Sequence, residues 1–313
     1  MTDFYTNLKK KWLDEKKLSQ SSLDAYARNL LKLNDDKPII NLKFLDDVSK
    51  ITEKLSKYKE NTKRNYLIAI TSVLSLDKST SKKKQNLYDA YFKLMMEKNK
   101  ELKAIEGSNE KTEVQKENWL SWSDVEKTRD DLKSKVDSFK TSKELSLNQY
   151  NILLECVIIS LYTYLPPRRN DYMNMLITKS PSGVETNYYD IDKKQFIFNK
   201  FKTSKKEGQV IVNIPNELQN VLSTYLKFHP DIKNKIKKKF NEIPFLVFYD
   251  GKPLVQVNSI TRILNKIFGK KIGSSMLRHL FLSHKYGAVN EEQKEDAFEM
   301  SHSLAQQKDY IKV

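Results

Sequence analysis

The chain has 313 residues, 39% of them hydrophobic, which is enough to bury the cores of two domains of ordinary size. Only 7 residues are Gly, which argues against a glycine-rich phosphate-loop enzyme and toward helices, and the formal net charge of +16 points to a polyanionic partner, nucleic acid before an anionic membrane surface. The single Cys156 excludes an internal disulfide and fits a reducing compartment. The N-terminus lacks the apolar stretch of a signal peptide and no run of 18 apolar residues occurs, so a protein inside the cell, not in the membrane, is expected.

In chain order, residues 1–103 read as helical. They carry 22 Lys and Arg against 13 Asp and Glu within the first 100 positions, so this is the more basic part per residue. Ser19–Ser22 offer N-caps to a helix whose Leu23, Tyr26, Ala27, Leu30 and Leu31 share one face, and Asn61-Thr62 offer a cap to a second with Tyr66, Ala69, Ile70, Val73 and Leu74 at the same spacing. A third helix is expected over 86–99. Residues 104–117 are polar without an apolar period and read as a linker. The expected domains are therefore 1–103, the linker 104–117, and 118–313.

Beyond the linker the pattern is mixed. A helix over 122–132 is expected to open at Ser123-Asp124. Residues 147–164 are apolar nearly all round, as in a buried central helix, which Pro166-Pro167 ends. The period then changes to two. Strands are expected at 188–191, 195–199 and 210–214, joined by turns at 192–194 and 203–208, making a small antiparallel sheet. Helices are expected at 216–227, 259–268, 273–286 and 291–300, with a last short one around Tyr310. The fold class is mainly α with a small antiparallel β-sheet.

Of the 56 basic residues only seven are Arg: Arg28, Arg64, Arg129, Arg168, Arg169, Arg262 and Arg278. Lys serves wherever a plain positive charge suffices, so the retained Arg residues, whose rigid fork binds phosphate bidentately, are the first candidates for chemistry. Arg168 and Arg169 follow the central helix in Leu165-Pro166-Pro167-Arg168-Arg169-Asn170-Asp171-Tyr172, a stiff platform. Lys202-Thr203 end the second expected strand. Arg278, in Leu277-Arg278-His279, interrupts an apolar helix and needs a partner or a phosphate. His302 lies in Met300-Ser301-His302-Ser303, eight residues before Tyr310. Each alone has an ordinary reading as surface charge, one lysine among 49, or a packed aromatic.

Taken in order, Arg168, Lys202, Arg278, His302 and Tyr310 resemble the constellation of the tyrosine recombinases, the phage-integrase family. Asp171 stands where that family has an acidic residue three positions after its first Arg. The Phe248–Leu254 stretch before a helix and Tyr26-Ala27-x-Asn29-Leu30 also resemble the family, and the Leu165–Tyr172 wording resembles recombinases of large DNA viruses and virophages. One departure stands out: Ser275 occupies the position of the family's His, and His279, one residue past Arg278, points about 100° away on a helix.

The resemblance implies a helical core-binding domain followed by an α+β catalytic domain that holds double-stranded DNA between them, as a homotetramer, without cofactor or metal, inside a host's cytoplasm or nucleus and encoded by a virus or mobile element. Tyr310 is the implied nucleophile, Arg168 and Arg278 the phosphate clamp, His302 a further hydrogen-bond donor and Lys202 the general acid. Arg169, Asp171, Ser275 and His279 are auxiliary candidates, and Arg28, Lys63, Arg64, Lys205 and Lys206 are candidate DNA contacts. Two alternatives stay open: a type IB topoisomerase or telomere resolvase with the same chemistry, and a DNA-binding protein with a degenerate active site, for which Ser275 argues.

Overall fold

The computed structural model describes residues 3–107, 110–235, 243–256 and 258–300. It is mainly helical with one small sheet and divides into two compact units, 1–111 and 112–313. No helix among the described residues is long and apolar enough to cross a membrane.

The first unit contains α1 (Asp3–Lys16), α2 (Gln20–Leu33), α3 (Val48–Ser56), α4 (Glu60–Leu74) and α5 (Lys82–Gly107). Ser19 caps α2, its Oγ accepting from the Ser22 amide at 3.2 Å, a bond typically worth about 1 kcal/mol. Leu23, Ala27 and Leu30 turn inward as the spacing predicts, and so do Tyr66, Ala69, Ile70, Val73 and Leu74 of α4. Trp12 of α1 is wholly buried and donates its indole N–H to Ser72 Oγ at 2.8 Å, which ties α1 to α4.

One local expectation is corrected here. Asn61-Thr62 do not cap α4, which starts at Glu60 after an N-cap Lys59 without a side-chain bond; the Glu60 carboxylate favours the helix start by its charge. Residues 104–117, expected as a linker, include the boundary between the two units and carry helix on either side of it. α5 runs on through Gly107, because Lys, Ala and Glu are strong helix formers even without an apolar period. α6 (Glu113–Asn118) then starts from a capping box between Thr112 and Gln115.

The second unit follows with α7 (Trp122–Asp137) and α8 (Leu147–Thr163). α7 starts at Trp122 as expected, but its cap is Ser121, two residues before the expected Ser123, with Asp124 completing the box, and it runs past residue 132. α8 is buried along most of its length, including Leu153, Leu154, Cys156, Val157, Ile158, Ile159 and Leu161, and forms the centre of the core. After it come β1 (Leu176–Thr178), β2 (Tyr188–Asp190), β3 (Gln195–Phe198), α9 (Ser204–Glu207), β4 (Val210–Asn213), α10 (Asn216–Phe228), α11 (Pro230–Lys235), β5 (Ile243–Pro244), α12 (Ser259–Phe268) and α13 (Ser274–Glu299).

The sheet is mixed, not antiparallel. Its order is β4-β3-β2-β1-β5, and β1 pairs parallel to β2 with Ile177 opposite Tyr189. The three expected strands do pair antiparallel, Tyr189 facing Phe196 and Ile197 facing Ile211. β1 and β5 have three and two residues, too short to display a period of two. The expected turn at 203–208 contains the one-turn α9, which ends at Gly208 with φ +71, a conformation glycine adopts without a Cβ clash.

The two helices expected over 273–286 and 291–300 are one continuous α13. Gly287 lies inside it, and a single glycine costs only about 1 kcal/mol against Ala, too little to end a helix that contains no proline. The expected short helix around Tyr310 lies outside the described residues.

Candidate active site

The site begins where α8 stops. Pro166-Pro167 cannot extend the helix, and the chain turns back under it. The turn is held from both ends. Tyr162 donates its hydroxyl to the Arg169 carbonyl at 3.0 Å, and Tyr172 is wholly buried edge-on to Tyr162, Phe196 and Phe198, with centroids 5.8, 5.4 and 5.6 Å away. These contacts fix the backbone on which Arg168 sits.

Arg168 is half-buried and touches three side chains among the described residues. Its Nε donates to Asp171 Oδ2 at 3.1 Å, and its guanidinium carbon lies 3.9 Å from the centroid of Phe198 and 5.3 Å from that of Phe201. The aromatic faces and the carboxylate contact orient the group, using one of its five N–H donors among the contacts of the described residues.

Arg278 arrives from the first turns of α13. Its Nη2 donates to Ser275 Oγ at 3.3 Å, so Ser275 holds the guanidinium and brings no titrating group. Ser274 donates to Asn170 Oδ1 at 3.1 Å, which joins the start of α13 to the Arg168 turn. Gly273 lets α13 begin there: a Cβ would meet Thr261 Cγ2 of α12 at 3.2 Å.

Lys202 lies in the β3–β4 connection, just before α9. A cavity of about 510 Å³ is lined by Arg168, Arg169, Asp171, Lys202, Thr203 and Arg278 together with the apolar Leu165, Phe201 and Val212. Four cations from three separated stretches of chain thus face one space. Lys205 and Lys206 stand exposed on α9 beside it.

The electrostatics agree with this crowding. Burial, and then the neighbouring Arg169, lower the pKa of the Arg278 guanidinium, against the opposing pull of Asp171 and Tyr162. Burial also raises the pKa of Asp171, although Arg168, Arg169 and Arg278 all favour its charged form. Clustered like charges beside a buried carboxyl leave a net positive concavity that an anion would relieve.

The other expected residues fall as follows. Ser275 and His279 are exposed and do not line the cavity. His302 and Tyr310 lie outside the described residues. In the first unit Arg28 is exposed on α2, whereas Lys63 pairs with Glu60 at 2.6 Å and Arg64 donates to Asn99 Oδ1. A groove of about 400 Å³ between α2 and α4 is lined by Ser22, Tyr26, Asn29, Asn65 and Tyr66, polar but uncharged.

Sequence reasoning missed Phe198 and Asn187. Phe198 is wholly buried at the end of β3 and supports Arg168. Asn187 is buried just ahead of β2, and its amide bonds the backbone of both the Arg168 turn and the Lys202 connection. A lone Asn before a short strand carries no signal of such a role, since its partners are main-chain atoms. No family model, curated protein or solved structure matches this chain.

Proposed function

We propose that the protein cleaves and rejoins double-stranded DNA as a site-specific recombinase of the tyrosine class. The observation that carries this reading is the convergence of Arg168, Arg169, Lys202 and Arg278 on one cavity of phosphate-accommodating size. Crowded, partly desolvated guanidinium groups suit a phosphodiester whose charge grows during attack.

In this scheme the Tyr310 phenol oxygen attacks phosphorus and loses its proton to water. The new phosphorus–oxygen bond forms a 3′-phosphotyrosyl link as the bond to the 5′ oxygen breaks. Arg168 and Arg278 hold the nonbridging oxygens, with His302 adding a hydrogen bond. Lys202 gives its proton to the departing 5′ oxygen. A 5′-hydroxyl of a second strand then reverses each step, so strand exchange needs no nucleotide or metal. Exchange between two duplexes calls for four copies, a homotetramer on DNA. Arg28, Lys205 and Lys206 supply further phosphate contacts, and the polar groove between α2 and α4 suits base edges.

The test is covalent capture. A nicked suicide duplex should give an SDS-stable adduct with the wild type and none with Tyr310→Phe, which should still retard the duplex on a gel. An adduct on Tyr310→Phe, or one mapping to the exposed Tyr286, overturns the scheme. Binding without any wild-type adduct would leave a DNA-binding protein, and relaxation of supercoils without strand exchange would indicate a topoisomerase.

A further inference from the structure

We propose that Asn187 is the positioning residue that sets Lys202 against the Arg168 clamp; the proposal rests on the strand-cleavage reading above. Asn187 is buried, and its side-chain amide makes four hydrogen bonds, all to main chain. Its Nδ2 donates to the Asp171 carbonyl at 2.8 Å and to the Lys200 carbonyl at 2.9 Å. Its Oδ1 accepts from the Asn199 amide at 2.8 Å and from the Lys200 amide at 2.7 Å.

That uses the full capacity of an amide. The two carbonyls and two N–H groups also fix which way it points, so no other side chain of its size satisfies the site. Asp would turn an oxygen on two carbonyls, and Leu would leave four buried polar groups unpaired.

The two backbones joined by this amide carry the two halves of the site. Asp171 holds Arg168, and Lys200 precedes Lys202 by two residues, with Phe201 between them touching the Arg168 guanidinium face. A second Asn braces the joint: Asn199 Nδ2 donates to Thr186 O at 2.7 Å, directly before Asn187. Lys200 itself pairs with Glu185 at 2.6 Å, and Lys202 lines the cavity. A proton donor on a hairpin connection is only as useful as its distance to the leaving oxygen is constant, and Asn187 ties that distance to the phosphate clamp.

The step at stake is transfer of the Lys202 proton to the 5′ oxygen as the phosphorus–oxygen bond breaks. Replacing that oxygen by sulphur makes a leaving group that departs as a thiolate and needs no proton. Single-turnover cleavage of the two suicide duplexes therefore separates positioning from general loss of structure. Asn187→Ala should slow the oxygen substrate by about 10–100-fold and leave the sulphur substrate within about threefold of wild type, as Lys202→Ala should. Asn199→Ala, in the milder half-buried position, should show the same selectivity with a smaller loss, and it decides the matter if Asn187→Ala does not fold. Equal losses on both substrates, or none, overturn the positioning role while the wild-type adduct upholds the cleavage reading. No wild-type adduct on either substrate overturns both.

Discussion

Arg168 rests with its guanidinium carbon 3.9 Å from the centroid of the wholly buried Phe198 ring. The ring is part of the core, so the arginine proposed to clamp phosphate is braced by the same residue that fills the sheet. Phe198→Leu keeps an apolar side chain and removes the π face. A cation–π contact of about 0.5–2 kcal/mol converts to a loss of about 2- to 30-fold in single-turnover cleavage, with binding on a gel unchanged. An unchanged rate would mean that the chemistry draws nothing from this contact.

Arg168→Ala and Arg278→Ala should each lower cleavage by about 10²–10³-fold while DNA binding is largely kept, since each removes one contact from a much larger set. Arg168→Lys should not recover the rate, because an ammonium cannot span two phosphate oxygens or stack in the same way. Arg169 is exposed and lines the same cavity. If Arg169→Ala is inactive and Arg168→Ala active, the clamp is the other member of the pair.

A chain of net charge +16 that neutralises roughly six to ten phosphates should lose about 10³–10⁵ in affinity between 50 and 200 mM salt. Titrations of one duplex at several salt concentrations measure the slope directly. Affinity that stays flat would assign the positive charge another purpose.

Limited proteolysis should cut first between Gly107 and Thr112, not at Glu117. α6 belongs with the second unit: the Lys271 amide donates to Asn118 Oδ1 at 2.7 Å, and Lys270 Nζ reaches the Glu117 carbonyl at 3.4 Å. A protease needs backbone it can pull out locally, and α6 is pinned. N-terminal sequencing of the resistant fragment reads the site. First cleavage within 150–235 would contradict the two-unit division.

Burial raises the pKa of Asp171 above its ordinary 3.8, a shift that Arg168, Arg169 and Arg278 oppose without cancelling. The native state therefore binds this proton more readily than the unfolded chain. Its contribution to stability is complete below the ordinary value and is lost as pH rises through the raised native value. Asp171→Asn cannot titrate, so the wild type should gain in Tm relative to that variant as pH falls from neutral to about 4. A difference that shrinks on acidification would mean that the Arg168 ion pair outweighs the burial of the carboxyl.

Local patterns determined much of this protein. The i, i+3, i+4 spacing of Leu23, Ala27 and Leu30 and the apolar run of α8 ended by Pro166-Pro167 are properties of short stretches, and the helices follow them. The scarcity of Arg, read as composition alone, singled out Arg168, Arg169 and Arg278, which all line one cavity. Tertiary structure alone decided the rest. β1 and β5 are too short to carry a period; β1 exists because β2 offers it a partner, and β5 because β1 does. Lys63 and Arg64 look like free basic residues in the sequence, yet Glu60 and Asn99 engage them. Asn187 leaves no trace in a pattern of side chains, because it bonds main-chain atoms that every residue has. What a residue does to its near neighbours is written in periodicity and composition, whereas which distant backbones it joins is settled only when the core packs.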